Sequence, residues 1–262
     1  MDAAEEMRAG LLEAVDPVAY GASRLSFIAD EWQARFLRST APEISVCCSR
    51  QSGKSSTAAV KAVHVAKHKP DALVLIISPT QRQSGLLLRK ARGLLRKAGA
   101  DGELNSDSAT TIELPNRSLI VSLPGNDDSI RGYSAPDLII EDEAAFTTDA
   151  THDALVPMLA VSQGQLCLLS TPQGRAGHFF QAHCGEDTDY ERITVTAFDC
   201  PRISRDWLEK QRRKNPARFS REFMCQFLES DSQFFTYAEI EAFFDTSLRP
   251  LFPDLFHASK VA

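Results

Sequence analysis

The run Cys48-Ser49-Arg50-Gln51-Ser52-Gly53-Lys54-Ser55 constrains the fold of this 262-residue chain more than any other stretch. It fits the phosphate-loop pattern with its Gly-Lys-Ser ending and departs from it only at the first place, where Cys48 stands for the usual glycine. Ile44 to Cys48 is apolar and β-branched enough for a buried strand, and Ser55 to Lys67 is rich in Ala, Val and Lys, as a helix would be. Strand, loop and helix in that order aim backbone N–H groups and a helix N-terminus at one point, where an anion is held by dipoles as well as by charge. Phosphate contacts are therefore expected from Ser49, Arg50, Gln51, Ser52, Gly53, Lys54, Ser55 and Ser56. Lys54 would reach the β- and γ-phosphates of a nucleotide as a point charge, and the Ser55 hydroxyl would join the shell of a Mg2+. The competing reading is a chance Gly-Lys-Ser at the start of a helix.

The second constraint is Leu138-Ile139-Ile140-Glu141-Asp142-Glu143, an apolar strand that ends in acids. Such a strand delivers its carboxylates to the carboxyl edge of an open α/β sheet, where ligands of these sheets bind. If the strand runs on through both final acids, alternation turns them to opposite faces and gives them separate work. Asp142 is then expected to hold the Mg2+ shell through water, and Glu143 to orient or deprotonate an attacking water. A strand end capped by acids in solvent is the plainer reading, and the phosphate loop weighs against it.

The other segments fill in an α/β plan. Leu73 to Ser78 is all apolar, as in a sheet buried on both faces. Gln83 to Ala98 sets Leu86, Leu87, Leu94 and Leu95 against Arg89, Lys90, Arg92, Arg96 and Lys97, an amphipathic helix whose basic face reads as solvated rather than phosphate-tracking. Thr110 to Leu114 and Ser118 to Leu123 flank Pro115-Asn116-Arg117 as a hairpin. A polar loop, Pro124 to Ser129, delivers Arg131 beside Gly132, and such an arginine reads by itself as surface charge. Asp149 to Leu159 is expected to be helical. Gln165 to Ser170 is a strand closing in Ser170-Thr171-Pro172, which puts hydroxyls where a γ-phosphate would sit, or else simply leaves the sheet. Tyr190 to Ala197 alternates like an edge strand, Ser204 reads as a helix N-cap, and Phe219, Phe223 and Phe227 recur at helical spacing as core.

At the chain start, Met1 to Ala29 is a helical lead-in with Leu11, Leu12 and Val15 on one face, ending near Pro17. Gln33 follows, one turn into a short helix, and can offer a donor and an acceptor to an adenine edge. Trp32, Phe36 and Leu37 would explain the same helix as plain core. Thr236 to Phe244 reads as one more helix before a Pro- and Phe-bearing tail.

A net charge of -6 argues against a surface built for standing, tight nucleic-acid binding, so any DNA contact is expected to be transient. The six cysteines form no Cys-x-x-Cys pair and read as small apolar residues in a reducing compartment. No basic N-terminal region precedes an apolar run, and the longest apolar run, Ala72 to Ile77, is too short to span a bilayer. A cytoplasmic protein without a membrane partner is the expectation. His64 and His68 lie four apart on a helix, but without an evident third ligand they read as solvated.

Taken together, Gln33, the phosphate loop, Arg131, Asp142-Glu143 and Ser170-Thr171-Pro172 resemble the ATPase domain of the large terminase subunits of tailed bacteriophages, over roughly Phe27 to Phe227. The Ser49-Arg50-Gln51-Ser52-Gly53-Lys54-Ser55 wording is typical of that family, which often lacks the opening glycine. The resemblance implies an α/β P-loop NTPase of the additional-strand, catalytic-glutamate (RecA-like) type, with a mostly parallel central sheet and helices on both faces. In that fold the Ser-Thr strand lies between the phosphate-loop strand and the Asp-Glu strand. It implies ATP and Mg2+ as ligands, Gln33 as adenine reader, Glu143 as catalytic glutamate and Ser170-Thr171 as coupling motif. Arg131 lies where some members place an arginine that completes the neighbouring subunit's site. The implied partners are double-stranded DNA, a portal protein, a small terminase subunit and further copies in a ring, with the isolated chain monomeric. The implied setting is the host cytoplasm at the procapsid portal, not the mature virion. The expected organisation is a helical lead-in (1–26), the ATPase domain (27–230), and a C-terminal helix and tail (231–262). The residues after Phe227 are too few for the ribonuclease-H-type nuclease domain of such subunits, so no DNA cutting is expected of this chain.

Two other readings share these motifs. A helicase-like ATPase uses the same loop and acid pair, but normally needs a second RecA-like domain. An ATP-binding regulator with little hydrolysis would have no need of Glu143.

Overall fold

The apolar strands read from the sequence lie side by side in the middle of one sheet. The computed structural model describes residues 3–99, 104–186 and 189–228; the expected helix Thr236 to Phe244 and the tail after it lie outside the described residues. The strands are β1 (Glu43–Cys48), β2 (Leu73–Ser78), β3 (Ser106–Asp107), β4 (Thr111–Glu113), β5 (Leu119–Pro124), β6 (Leu138–Asp142), β7 (Gln165–Ser170) and β8 (Glu191–Val195). They are ordered β3-β4-β5-β2-β6-β7-β1-β8. Pairing is parallel from β5 through β8, and only β3, β4 and β5 form an antiparallel corner. The Ser170 strand thus sits between the phosphate-loop strand and the Asp142 strand, as expected. The expected edge strand is also present, parallel to β1.

The helices are α1 (Ala3–Val15), α2 (Pro17–Arg24), α3 (Glu31–Arg38), α4 (Lys54–His68), α5 (Gln81–Lys97), α6 (Asp127–Ile130), α7 (Asp149–Leu155), α8 (Leu159–Ser162), α9 (His178–Cys184), α10 (Arg205–Lys214) and α11 (Pro216–Met224). They cover both faces. Val46, Val74, Ile140 and Leu169 point to the side packed by α4 and by Phe36, Leu88 and Ala91. Leu75, Ile77, Ile139 and Leu168 point to the side packed by Leu155 and Phe179. Apolar residues at every strand position, rather than every second one, are what burial on both faces requires. Among the described residues no helix is long and apolar enough to cross a membrane.

Several local expectations change. Leu11, Leu12 and Val15 are exposed on α1, whereas Tyr20 and Leu25, in and just after α2, are buried in the main core. Asp16 caps α2 by accepting from Val18 N at 2.9 Å, with Pro17 at the first turn, so the break near Pro17 starts a helix as well as ending one. His64 and His68 are half-buried rather than solvated, because both rings pack edge-on against Tyr20 and His64 Nε2 meets Glu13 O at 3.0 Å. Burial lowers the pKa of both. Phe219 and Phe223 are core with Leu208, but Cys225 turns left-handed (φ 57°) and sends Phe227 off the helix to pack on Phe179 and Phe180.

His183 on α9 bears on stability against pH. Its ring nitrogens face Ser45 Oγ and Thr194 Oγ1, each at 3.0 Å, and burial, helped by Arg192, pulls its pKa down to about 4. The folded state therefore resists a proton that the unfolded chain accepts from pH about 6.5 downward. Stability contributed by the neutral ring is complete above that pH and is lost as pH falls toward 4. Thermal melts should show a smaller loss of Tm on acidification for His183→Gln than for the unsubstituted chain; equal losses would show that the ring does not set this limb.

Candidate nucleotide site at the carboxyl edge of the sheet

β1 ends at Cys48 in ordinary extended backbone, so the first place of the loop does not need a glycine here. The buried Cys48 thiol points at Ser170 O (3.8 Å), and burial pushes it up to about 12, so it stays neutral beside a place suited to anions. The loop then turns through two left-handed residues, Gln51 (φ 65°) and Gly53 (φ 97°). A Cβ on Gly53 would lie 2.8 Å from Gln33 Nε2, the end of a side chain, so the left-handed conformation is the firmer reason for a glycine here.

The loop is anchored from outside. Ser49 N donates to Val195 O (2.8 Å) and Arg50 N to Glu222 O (3.0 Å), while the Arg50 guanidinium stands 3.5 Å from the Glu222 carboxylate. Arg202 chelates the Asp30 carboxylate (2.8 and 2.6 Å) and donates to Ser52 O at 3.0 Å, joining the loop to the start of α3. The N–H groups of Gln51 through Ser55 make no backbone hydrogen bond among the described residues. They lie at the positive end of α4, which is 15 residues long.

Lys54 and the two acids converge. Lys54 Nζ lies 3.2 Å from Asp142 Oδ1 and 2.8 Å from Glu143 Oε1. Burial pulls the ammonium's pKa down, and Asp142 and Glu143 more than restore it, leaving it above the ordinary lysine value. The expected alternation of Asp142 and Glu143 does not occur. β6 stops at Asp142, and Glu143 adopts φ 60°, ψ 41°, which swings its side chain to the same lysine. The residue that does face the other way is Glu141. It is fully buried against His152, His178 and Thr147, and their hydrogen bonds outweigh the cost of burial and bring its carboxyl to about 2.

Around this point lies a cleft of about 560 Å³ lined by Ser49 through Ser56, Gln83, Lys90, Glu143, Phe146 and Thr171. Ser170 is buried just behind Thr171, and Asp142 is buried beneath Lys54. Gln33 does not line the cleft. It is buried behind the loop, its Oε1 accepting from Asp30 N (2.9 Å) in a capping box, so it does not offer the expected free donor and acceptor pair. Arg131 does not line its own chain's cleft either and is exposed in the turn after α6. The basic face of α5 is solvated as expected, with Arg89, Lys90, Arg96 and Lys97 exposed, and Lys90, together with Gln83, also lines the cleft. Arg202 had no local signal, its partners being 172 and 150 residues away.

The buried atoms fit a phosphate and its cation. Lys54 Nζ, Ser52 Oγ, Ser170 Oγ and Asp142 Oδ1 are buried without a well-formed hydrogen bond, the Lys54 contacts being ion pairs by distance only. Buried polar atoms short of hydrogen bonds at one place cost stability unless a ligand engages them.

Residues 46–242 match the family model for the terminase large subunit, T4likevirus-type, N-terminal. The chain is 30% identical over 202 residues to the terminase large subunit of Escherichia phage T5, covering 73% of this chain and 45% of that one. It is 28% identical over 161 residues to that of Thermus virus P23-45, covering 52% and 32%. It therefore spans less than half the length of these relatives. In fold it is similar to the Thermus phage P74-26 large terminase ATPase domain, with TM-score 0.69 and 22% identity over 81% of this chain and 99% of that one. It is also similar to the HK97 bacteriophage large terminase, with TM-score 0.66 and 13% identity over 82% and 55%. With a family model covering most of its length, including the phosphate loop and both site acids, this chain belongs to the T4likevirus-type terminase large subunit family and corresponds to its N-terminal part.

Proposed function

We propose that this chain is the ATP-hydrolysing motor part of a viral DNA-packaging terminase, driving double-stranded DNA into a procapsid. The observation that carries the reading is the meeting of the buried Lys54 with Asp142 and Glu143 at the mouth of a phosphate loop whose N–H groups from Gln51 to Ser55 make no backbone hydrogen bond among the described residues. A large terminase of bacteriophage D6E, similar in fold at 16% identity and TM-score 0.58, was solved in complex with ADP, which supports nucleotide as the ligand.

In this reading Ser49 through Ser56 cradle the phosphates, and Lys54 holds the β- and γ-phosphate charge. Ser55 and Asp142 would hold Mg2+, which when bound neutralises charge on those phosphates. Lys54 now occupies Glu143 Oε1 at 2.8 Å. A γ-phosphate that claims the ammonium frees this carboxylate to orient and deprotonate a water. Thr171, on the cleft wall, reports γ-phosphate loss to Ser170 and β7. Gln33 acts through Gly53, setting the loop against α3, more than through a free pair of groups toward adenine. Arg131 is assigned to the next subunit's cleft in a ring. The partners fitting this role are a portal protein, a small terminase subunit and transiently bound DNA. The place of work is the host cytoplasm at the procapsid portal, not the finished virion, with 27–230 as the motor domain.

The test is Glu143→Gln. The amide keeps the shape but cannot accept a proton, so ATP hydrolysis should fall by about 10²–10⁴-fold with nucleotide affinity retained. Undiminished turnover, or equal loss of binding and hydrolysis, would remove the catalytic role.

A further inference from the structure

On the far face of β6, away from the phosphate loop, three ligating side chains meet. Glu141 Oε1 lies 3.1 Å from His178 Nε2, and Oε2 lies 3.4 Å from His152 Nδ1. All three donor atoms fall within 4.8 Å of one another. Ligands about 2.0–2.2 Å from a tetrahedral ion stand roughly 3.3–3.6 Å apart, so the pairs at 3.1 and 3.4 Å need only a small adjustment to admit one. The side chains come from three separate elements: β6, α7 and the first residue of α9.

Two more observations point to a cation. Asp149 Oδ1 accepts from His178 N (2.8 Å) and stands 3.1 Å from His178 Nδ1. With an ion bound at Nε2, a carboxylate on the outer nitrogen would hold the tautomer that metal-bound histidines use. In addition, Glu141 is fully buried on the sheet face built by Leu75, Ile77, Ile139 and Leu168. A carboxylate in such a layer requires compensating positive charge, which a bound divalent cation would supply.

We propose that Glu141, His152 and His178 bind one divalent transition ion of the borderline class, for which Zn2+ is the suitable probe. Two imidazoles and one carboxylate match its ligand preference, with a fourth position left for water or for Thr147 Oγ1, 3.5 Å from His178 Nε2. The ion would tie the strand end that carries Asp142 and Glu143 to the helix that follows Ser170-Thr171. This site stands independently of the ATPase reading, since it shares no ligand with the phosphate loop.

The experiment titrates the full chain, stripped by chelator and free of nucleotide, with Zn2+ in a calorimeter, and with Co2+ while recording the visible spectrum. The expected result is a single equivalent of Zn2+, Co2+ bands of the intense four-coordinate kind, and loss of both in His152→Gln and His178→Gln. Asp149→Asn, which leaves the three ligands in place, should weaken Zn2+ about 10–100-fold. Asp142→Asn should leave the binding unchanged, which separates this site from any cation in the nucleotide cleft. No stoichiometric Zn2+ uptake by the unsubstituted chain overturns the proposal without recourse to variants, leaving a hydrogen-bonded cluster only. Uptake that persists in a folded His152→Gln/His178→Gln double variant overturns it equally.

Discussion

Lys54→Ala is expected to hydrolyse no ATP above background and to bind it far more weakly. The lysine lies between the loop and both acids: Nζ stands 3.2 Å from Asp142 Oδ1 and 2.8 Å from Glu143 Oε1 in a nearly closed environment. Removing it takes away the charge on the β- and γ-phosphates and leaves two carboxylates facing each other and the incoming phosphate. The loss of rate should be on the order of 10³-fold or more, the scale seen when a preorganised donor is removed from developing negative charge. Filter binding or calorimetry with ATP, run beside a phosphate-release assay, checks both halves. A cooperative thermal melt confirms that the variant is folded. Unchanged turnover in folded Lys54→Ala would remove the phosphate-loop assignment altogether.

What could be read in the sequence was whatever the chain states locally. The loop, the strand before it, the helix after it and the acids at the end of β6 each sit within a few residues, and all-apolar strands announce a sheet covered on both sides. Even the unusual Cys48 is unproblematic, because its backbone is extended. The rest depends on contacts between distant residues. Strand alternation separates Asp142 from Glu143 on paper, and a single left-handed residue at φ 60° brings them to one lysine. A non-glycine in that conformation costs roughly 1–3 kcal/mol when the surroundings impose it, and such positions cluster at functional sites. Gln33 looks free to read a base until its carbonyl is seen capping its own helix. Arg202 has nothing in its neighbourhood to mark it, and only the fold delivers it to the loop; Lys90 is visible as one of a basic face, but not as the member that lines the cleft. His152 and His178 are 26 residues apart and unremarkable in isolation; Glu141 between them is what makes them a group.

Mixing two inactive variants, Arg131→Ala and Glu143→Gln, is expected to restore ATP turnover under ring-forming conditions. Arg131 is exposed in the turn after α6 and does not line the cleft of its own chain, which is compatible with the proposed role in a neighbour's site. Ile130, the residue before it, is fully buried, which fixes the base of the turn that carries the arginine. A guanidinium supplied by another subunit is worth about 10³–10⁵ in rate for phosphoryl transfer, so the isolated chain should be a slow ATPase that speeds up as concentration drives assembly. In the mixture each subunit type lacks a different half of a composite site. With random placement around a head-to-tail ring, about one junction in four pairs an intact Glu143 with a neighbour's intact Arg131. Each such junction has all its groups. Activity of the mixture should therefore exceed that of either variant alone and should peak near equal proportions. If the subunits co-assemble and the mixture gains nothing, the arginine acts within its own chain or takes no part in hydrolysis.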